Sequence, residues 1–345
     1  MNRTLPPEWA PQSGVILTWP HRHSDWASSL DNVEPVFASI ARAISYHEQV
    51  LIACFDNAHA RHVKDVLTRA GALMDRIRLH CVASNDTWAR DHGPVTVLEN
   101  GQPLLLDFIF NGWGGKFDAM LDNQITARLH SVGAFGATAL RPIDLILEGG
   151  SIESDGAGTL LTTSQCLLTP TRNPAYDRAD IEDCLRQILG VERFLWLEHG
   201  YLAGDDTDSH IDTLARFCSI DTIAYVTCDD PADEHYAELK AMQVELATFR
   251  THDDKPYRLV PLPWPQARFD GDGRRLPATY ANFLIVNGAV LMPSYDDPAD
   301  GCALANLASC FPDREIIALP CLPLIQQYGS LHCVTMQLPA GVSLS

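Results

Sequence analysis

Four short clusters in the sequence place reactive side chains beside glycine or at the edge of an apolar run. They cover residues 88–94, 147–151, 206–212 and 329–333. Such positions are typical of strand ends and loops, where side chains from separate elements can converge on one pocket. The clusters supply one thiol, one imidazole and several carboxylates, so we expect them to form a single reactive site.

The thiol of this set is Cys333, which lies in the alternating segment 331–336. Alternation predicts an extended chain in which Cys333 faces away from His332. A buried and inert thiol is the default for any single cysteine, and it is our expectation for the rest of the 10 cysteines. Cys333 differs from them because the other reactive clusters accompany it.

The imidazole is His210, two residues before Asp212. If this segment is extended, both side chains point to the same face, and one ligand can then meet an acid/base and a carboxylate together. An ordinary solvent-facing strand edge explains the triplet equally well, since His-x-Asp is common.

Asp91 and Glu148 are the further carboxylates. Asp91 precedes Gly93 and Pro94, a break that predicts a loop, and its simplest role there is to close a turn. Glu148 ends an apolar run and is followed by two glycines, which is also the pattern of a strand before a tight turn. Both residues therefore have a structural interpretation beside the chemical one.

One thiol, one histidine and several carboxylates are the set needed to hydrolyse a guanidinium. That group is planar, delocalised and cationic, so its central carbon is a poor electrophile and its nitrogens are poor leaving groups. Two carboxylates can fix its plane, a thiolate can add to the carbon, and a histidine can protonate the departing ammonia and then activate water. This scheme requires no metal and no cofactor.

Two other classes of function use the same residues. Carboxylates and imidazole suit a divalent ion, so a metal-dependent hydrolase is one alternative, with the ligands Asp91, Glu148, His210 and Asp212. A non-catalytic module that binds a polyamine is the other, with Cys333 as an inert core residue. A binding protein has no need of a thiol at this position, which favours an enzyme.

The charge of the chain limits its partners. Its 345 residues carry a formal net charge of −19, and nucleic acid requires a basic face, so we expect no nucleic-acid partner. The acidity is compatible with a small cationic substrate, and equally with solubility alone. No apolar stretch approaches the roughly 18 residues of a membrane span, and no targeting segment is recognisable, so a cytoplasmic protein with no membrane partner is expected.

Short β-rich runs alternate with amphipathic helical patterns, which predicts an α/β fold. Residues 15–19, 33–46 and 50–55 predict strand, helix and strand; residues 159–168 predict two strands about a turn at Ser164 and Gln165, followed by a helix over 176–189 and a strand over 193–197; residues 282–286, 289–293, 303–310 and 315–319 predict strand, strand, helix and strand.

The order strand, strand, helix, strand therefore recurs along the chain, and residues 77–129 and 214–262 leave room for two more units. Such recurrence predicts a repeat built around an axis, within one domain that spans residues 1–345. A doubly wound parallel sheet is the competing layout, but no glycine-rich fingerprint follows a first strand.

Six ordered motifs carry a family resemblance. They are residues 6–12 leading to 18–20, the Trp-x-Arg-Asp-x-Gly-Pro stretch at 88–94, and residues 111–116, 147–150, 210–212 and 332–335. The chain resembles the agmatine deiminase and bacterial peptidylarginine deiminase-like family, within the guanidine-modifying (pentein) superfamily. The resemblance runs nearly end to end. It implies an α/β propeller with fivefold pseudo-symmetry, built of ββαβ modules.

The resemblance also implies catalytic roles. Cys333 would be the nucleophile and His210 the general acid/base. Asp91 and Asp212 would be the pair that grips the guanidinium, and Glu148 would support either the histidine or the substrate. The implied reaction is the hydrolysis of agmatine to N-carbamoylputrescine and ammonia.

Three further residues are implied at the substrate pocket. Asp206 matches a position that lines it, and Trp88 and Trp113 would cover the aliphatic part of the substrate. In family members that act on agmatine, a glycine-rich stretch with asparagine precedes the nucleophile, and this chain departs from it in residues 327–332. Free arginine and arginine at the end of a peptide are therefore alternative substrates. A homodimer is implied by analogy.

Overall fold

The structure is a computed structural model that describes residues 3–345. Its strands are β1 Arg3–Thr4, β2 Gln12–Thr18, β3 Gln49–Cys54, β4 Ile77–Cys81, β5 Val95–Glu99, β6 Gln102–Ile109, β7 Ala139–Ile146, β8 Ile152–Ser154, β9 Thr159–Thr163, β10 Arg193–Leu197, β11 Ala215–Ser219, β12 Thr222–Val226, β13 Arg258–Leu262, β14 Arg268–Phe269, β15 Arg275–Leu276, β16 Leu284–Val286, β17 Ala289–Ser294, β18 Glu315–Pro320 and β19 Thr335–Pro339.

The longer helices lie between these strands. They are α1 Leu30–Ser45, α2 Asn57–Ala70, α3 Ile125–Ser131, α4 Arg178–Leu189, α5 Tyr236–Thr248 and α6 Asp300–Cys310. Single helical turns cover Ala89–His92, Gly112–Gly115, Ser164–Leu167 and Leu322–Ile325, and 3-10 turns cover Met74–Arg76, Asp122–Gln124, Gly149–Ser151 and Ile211–Thr213. In the described part of the chain, no helix is both long enough and apolar enough to cross a bilayer.

Five sheets within residues 3–345 share one strand order. In each sheet a first strand pairs antiparallel with a second, and a third pairs parallel with the second. A parallel pair needs a crossover connection, and a helix supplies it in every case. The first strands are β5, β8, β11, β16 and β19. The mixed α/β class predicted from the sequence is therefore confirmed.

The unit that begins at β19 joins the two ends of the chain. β19 pairs antiparallel with β2, which is followed by α1 and by β3. Residues that precede β19 are thereby held beside residues near the N-terminus, although more than 300 positions separate them in the sequence. Four strands lie at sheet edges or outside this scheme: β4 extends the β19 sheet, β1 borders β5, and β14 and β15 form a separate hairpin.

Local sequence explains why α4 begins and ends where it does. Asp177 is the N-cap, its side chain accepting a backbone N–H in a capping box, and Gly190 ends the helix with φ of 74°. Ile181, Leu185 and Leu189 recur at intervals of four and are buried on one face. The predicted helix is confirmed with its end at glycine, and it begins at the residue after the cap.

One predicted hairpin is wrong. Residues 159–168 do not form two strands, because β9 ends at Thr163, whose side chain accepts the N–H of Cys166 and starts a helical turn. The observed hairpin joins β8 to β9 instead. Its turn contains Gly156 and Gly158 with φ of 72° and 92°, a conformation that favours glycine.

A buried arginine joins four parts of the chain. Arg216 in β11 is fully buried and donates to Glu8 at 2.9 Å, to Glu153 in β8, and to the carbonyl of Phe283 at 2.6 Å. An unpaired buried charge costs several kcal/mol, so these groups must be present together. The cluster therefore fixes the N-terminal segment, β8, β11 and the segment before β16 against one another.

Replacing Arg216 by methionine tests this junction. The change leaves the carboxylates of Glu8 and Glu153 buried without their shared cation, so we expect a loss of about 3–5 kcal/mol in the free energy of unfolding. The measurement is urea denaturation followed by circular dichroism. Arg258→Met is the matched control, since Arg258 is an exposed arginine of β13 and should change stability by less than about 0.5 kcal/mol. Similar losses in the two variants would contradict the prediction.

Candidate active site

Five loops bring polar side chains together, each directly before the first strand of a unit. We call them the leading loops: residues 89–94 before β5, 148–151 before β8, 209–214 before β11, 281–283 before β16, and 330–334 before β19. Each loop meets the same end of an equivalent strand, so their side chains can converge. In this order, they carry Asp91; Glu148; His210 and Asp212; Asn282; and His332 with Cys333.

Cys333 lies in a turn that ends at β19, so the extended segment predicted over residues 331–336 is wrong for its first part. The turn forms around Asn282, whose Oδ1 accepts the backbone N–H groups of His332 at 2.9 Å and Cys333 at 3.3 Å. The carbonyl of Cys333 accepts the N–H of Arg90 at 3.1 Å. The residue is 6% exposed, and its Sγ lies 3.4 Å from the same amide oxygen of Asn282.

The surroundings of this thiol oppose its ionisation. Burial raises the pKa of Cys333 well above its usual value, and the negative charges of Asp212 and Asp91 raise it further. An S–H group that faces the oxygen of Asn282 can donate to it, which is consistent with a neutral thiol. A cation placed beside the two carboxylates would remove part of this opposition.

Asp91 occupies the helical turn Ala89–His92 and is buried. Its Oδ2 accepts the indole N–H of Trp113 at 2.9 Å, and its Oδ1 accepts the N–H of Gly150 at 3.1 Å. Burial raises the pKa of Asp91 to about 6, although the neighbouring charge of His210 opposes the rise. The carboxylate is thus held in place by one bond from the helical turn Gly112–Gly115 and one from the leading loop 148–151.

His210 is the N-cap of the 3-10 turn Ile211–Thr213, so the extended conformation considered for residues 210–212 does not form. Its Nδ1 lies 3.6 Å from Asp91 and its Nε2 lies 3.7 Å from Glu148. Burial lowers the pKa of His210, but the neighbouring Asp91, Cys166 and Glu148 side chains raise it well above the usual value. Within residues 3–345, Nε2 makes no hydrogen bond. The protonated ring can therefore donate from Nε2, which has no acceptor among the described residues.

Asp212 is fully buried, and its Oδ2 accepts Nδ1–H of His332 at 2.7 Å. Its Oδ1 has no hydrogen-bond partner among the residues that the structure describes. Burial would raise the pKa of Asp212, but His332 and His210 hold it below its usual value. Asp212 is thus ionised and has one oxygen available to a ligand.

Gly150 allows these groups to approach one another. A Cβ at this position would lie 2.6 Å from Nδ1 of His210, 3.0 Å from Oδ1 of Asp91 and 3.2 Å from Oδ2 of Asp212. Only a residue without a side chain fits between them. The glycine pair noted after Glu148 therefore has a steric role in the site.

Glu148 is fully buried and bonded to Arg172, whose Nε donates to both carboxylate oxygens at 2.9 and 2.8 Å. The guanidinium of Arg172 also donates to Asp208 at 2.7 Å and to the carbonyl of Thr207 at 2.8 Å. Burial would raise the pKa of Glu148, but His210 and Arg172 hold it below the usual value. The ionised carboxylate faces His210.

A pocket of about 530 Å³ opens beside the thiol. Five of the predicted site residues line it: Cys333, Asp91, Trp88, Trp113 and Asp206. The other three, His210, Asp212 and Glu148, lie behind the wall that Asp91 and Cys333 form. The structure therefore brings the eight predicted residues together at and behind one pocket wall.

The outer part of the pocket is acidic and aromatic. Asp25, Asp86 and Asp205 line it in addition to Asp206, and within residues 3–345 no lysine or arginine does. Asp86 accepts indole N–H groups from Trp26 at 2.8 Å and Trp88 at 3.0 Å. Burial raises the pKa of Asp86 to about 7, and the nearby charge of Asp25 contributes to the rise. Burial raises the pKa of Asp206, and the charges of Lys116 and Arg274, which lie outside the pocket lining, oppose the rise.

Three residues of the site were not predicted: Asn282, Arg172 and Asp86. Asp86 stands two positions before the Trp88 motif, which is a weak signal, and Asn282 stands directly before an apolar strand. Arg172 follows a helical turn in a polar loop and has no distinguishing context. Their importance arises only from what they contact in the folded chain.

A cluster behind the pocket has the donor types of a metal site. Glu148, Cys166 and His210 each offer one possible ligand atom, and these three atoms lie within 4.8 Å of one another. Arg172 already donates to both carboxylate oxygens of Glu148, so a metal cation would meet a fixed positive charge. This set of residues is better suited to proton transfer by His210 than to the binding of a metal ion.

Comparisons with known proteins agree with the resemblance that the motifs carry. A solved structure from Porphyromonas gingivalis, provisionally named an arginine deiminase, is 53% identical, covers 99% of each chain and has a TM-score of 0.93. The structure of a cysteine-to-serine variant of C. jejuni agmatine deiminase with substrate bound is 35% identical, covers 99% of this chain and 97% of that one, and has a TM-score of 0.91.

Sequence comparison gives the same result. The agmatine deiminase of Pseudomonas aeruginosa (strain LESB58) is 35% identical over 97% of this chain and 95% of its own length. A family model described as Porphyromonas-type peptidyl-arginine deiminase matches residues 4–339. The predicted family is thereby confirmed: the chain belongs to the Porphyromonas-type peptidyl-arginine deiminase family.

Proposed function

We propose that this protein hydrolyses agmatine to N-carbamoylputrescine and ammonia through a covalent amidino-cysteine intermediate on Cys333. The observation that carries the proposal is a buried thiol at an acidic pocket, next to two carboxylates and a protonated histidine. The agmatine deiminases named among its relatives are 34–36% identical over nearly the whole chain, which supports it.

The guanidinium binds between Asp91 and Asp212. Asp212 offers a free oxygen, and Asp91 is held at its position by Trp113 and Gly150. Two carboxylates fix the plane of the cation and leave its carbon open to attack by the sulfur. The same cation offsets the negative charges that raise the pKa of Cys333, so the thiol gives its proton to solvent through the pocket and the thiolate forms when substrate is bound.

The first half of the reaction forms a C–S bond and breaks a C–N bond. The Cys333 thiolate adds to the guanidinium carbon, and His210 gives its proton to the leaving nitrogen, which departs as ammonia. In the second half, the neutral His210 takes a proton from water as the water adds to the same carbon. The C–S bond then breaks as the added hydroxyl group loses its proton to solvent, which releases the ureido product and the thiolate. Glu148 stabilises the cationic form of His210 throughout.

The outer pocket selects the substrate. Agmatine carries an amine at the far end of its alkyl chain, and the carboxylates of Asp86 and Asp206 meet that cation there. Trp88 and Trp113 cover the apolar chain between the two charged ends. Free arginine would bring a carboxylate into this acidic end, where no lysine or arginine of residues 3–345 lines the pocket to pair with it.

Arginine is nevertheless the closest rival substrate within the same chemistry. The 53% identical protein of Porphyromonas gingivalis is provisionally named an arginine deiminase. The segment before the nucleophile also differs from the agmatine-type pattern, and its Gln327, Tyr328 and Gly329 line the pocket. Free arginine and an arginine peptide therefore belong in every assay beside agmatine.

We further propose that the five units are arranged around one axis as a fivefold pseudo-symmetric α/β propeller within a single catalytic domain. The convergence of five equivalent leading loops on one site supports this arrangement. A homodimer, a cytoplasmic location and the lack of a nucleic-acid partner stay predictions from the sequence.

Replacing Cys333 by alanine should abolish ammonia release from agmatine, because no other group can form the covalent intermediate. The loss should amount to several orders of magnitude, measured as ammonia release with agmatine, free arginine and a short arginine peptide. Cys302→Ala is the matched control, since Cys302 is an exposed thiol of α6, and it should retain wild-type turnover.

Retained turnover in the Cys333 variant would contradict the mechanism. Loss of turnover on chelation, with resistance to a thiol alkylator, would favour a metal-dependent hydrolase. Agmatine binding by the wild type without any product would favour a non-catalytic binding protein. Turnover of arginine or of the peptide alone would keep the mechanism and change the substrate.

Asp86→Asn tests the amine-binding end of the pocket. The loss of one charge-assisted hydrogen bond should raise KM for agmatine roughly 10- to 100-fold with little change in kcat. Butylguanidine has the same alkyl chain without the amine, so its KM should be nearly the same in the variant and in the wild type. Equal penalties for both compounds would mean that Asp86 supports the fold rather than the amine.

The pH dependence of kcat/KM tests the state of Asp91. Only the ionised carboxylate can hold the guanidinium, so activity should rise with pH through the pKa of about 6 and stay high above it. Butylguanidine is the proper substrate for this profile, because Asp86 then contributes no charge to binding. An acid limb near 3.8, the ordinary value for an aspartate, would contradict the assigned environment of Asp91.

A further inference from the structure

His332 lies between two carboxylates behind the pocket. Its Nδ1 is 2.7 Å from Oδ2 of Asp212, and its Nε2 is 2.7 Å from Oε2 of Glu8. All three side chains are buried, with exposed fractions of 2%, 0% and 5% respectively. Neither ring nitrogen therefore has access to solvent, and each has a single carboxylate oxygen as its partner.

Both carboxylates are ionised. Burial would raise the pKa of Glu8, but Arg216, His332 and Arg90 hold it well below its usual value. The pKa of Asp212 is likewise held down. An ionised carboxylate can only accept hydrogen bonds, so both nitrogens of the ring must donate. In this arrangement each ring nitrogen of His332 donates to one carboxylate.

Glu8 cannot turn away from the ring. Its Oε1 accepts the N–H of Ile285 at 2.7 Å, and its Oε2 accepts Nη2 of Arg216 at 2.9 Å as well as the ring of His332. The ring itself is fixed from the other side, because the backbone N–H of His332 is bonded to Asn282. Three leading loops and the N-terminal segment thus define one orientation for the imidazolium.

Asp212 depends on that ring. Within residues 3–345, His332 is the side chain that donates to its carboxylate, and the other oxygen is left free for a ligand. A carboxylate held at one oxygen keeps its plane and presents the other oxygen in a fixed direction. Without the ring, Asp212 would be a buried charge free to rotate.

We propose that His332 is a positioning residue that orients the carboxylate of Asp212 toward the guanidinium, and that Glu8 holds His332 in this role. The inference rests on the proposed function, in which Asp212 grips the substrate. His332 bonds directly to Asp212, and Glu8 bonds to His332, so both act through Asp212. A segment near the N-terminus therefore determines the geometry at a nucleophile near the other end of the chain.

Glu153 provides a matched control for Glu8. It is a buried carboxyl group of the same ion cluster and also bonds Arg216, but within residues 3–345 it makes no hydrogen bond with His332, although the two side chains lie within 4.8 Å of each other. Glu8→Gln and Glu153→Gln each replace one carboxyl group of the cluster by an amide of the same size. Both should lower the melting temperature. The two variants differ in whether His332 loses its partner.

The first measurement is the kinetics of both variants with agmatine. Outer partners of a functional group typically contribute on the order of 10- to 100-fold in activity, so Glu8→Gln should lower kcat/KM by that factor, with KM raised and kcat lowered. Glu153→Gln should stay within about threefold of the wild type. Equal losses in the two variants would assign Glu8 a structural role alone and overturn the proposal.

The second measurement needs no substrate. In protein labelled with nitrogen-15 at histidine, the ring of His332, assigned by comparison with His332→Gln, should show both nitrogens protonated in the wild type at neutral pH. Glu8→Gln should lose the proton on Nε2, while Glu153→Gln should keep it. A neutral ring in an active wild-type enzyme would overturn this proposal alone. A wild type that releases no ammonia from agmatine would instead refute the proposed function on which it rests.

Discussion

The pairing of buried charges is the constraint on which the rest of this structure depends. A charge taken out of water costs several kcal/mol unless an opposite charge and hydrogen bonds replace the lost solvent. Arg216 and its carboxylates Glu8 and Glu153 satisfy this condition only when three distant parts of the chain are in place. The same condition then extends through His332 to Asp212 and so reaches the substrate site.

From this centre outward, charges of opposite sign alternate. Arg172 pairs with Glu148, which faces His210, and His210 faces Asp91. Burial raises the pKa values of Asp91 and of the Cys333 thiol, and the charges of neighbouring carboxylates raise them further. In the proposed function, a guanidinium bound between Asp91 and Asp212 offsets these negative charges. Substrate binding and thiolate formation at Cys333 are therefore coupled electrostatically. This coupling explains how a thiol among carboxylates can act as a nucleophile.

The sequence identified the groups that stand out locally and missed those that act through contacts. Five were found because each interrupts an apolar pattern or adjoins glycine: Asp91, Glu148, His210, Asp212 and Cys333. Asn282, Arg172 and Glu8 look like ordinary polar residues, and their partners lie far away in the sequence. Nothing local distinguishes the thiol of Cys166, next to His210, from that of Cys333 in the pocket.

The errors of secondary structure have the same origin. Residues 210–212 and 331–334 have the alternation of a strand, but side-chain bonds hold both as turns: Thr207 and His210 anchor the first, and Asn282 anchors the second. Alternation shows only which side chains are apolar. The turn at 331–334 depends on the side-chain oxygen of Asn282, which belongs to another unit. The repeated order of strands and helices was predictable because each unit satisfies its own backbone hydrogen bonds.

The two ends of the pocket are built from different parts of the fold. The reacting end uses the leading loops, which enter the first strands of the five units and are fixed by the buried charge network. The outer end uses Asp25 before α1, Phe117 after the helical turn Gly112–Gly115, and Tyr328 after the turn Leu322–Ile325. In the described part of the chain, the side chains of Asp25, Phe117 and Tyr328 make no hydrogen bond to Asp91, Asp212 or Cys333, so these three residues can change without loss of a bond at the reacting end. Chemistry and substrate choice are thus separable in this architecture, and a shared reaction across relatives does not require a shared substrate.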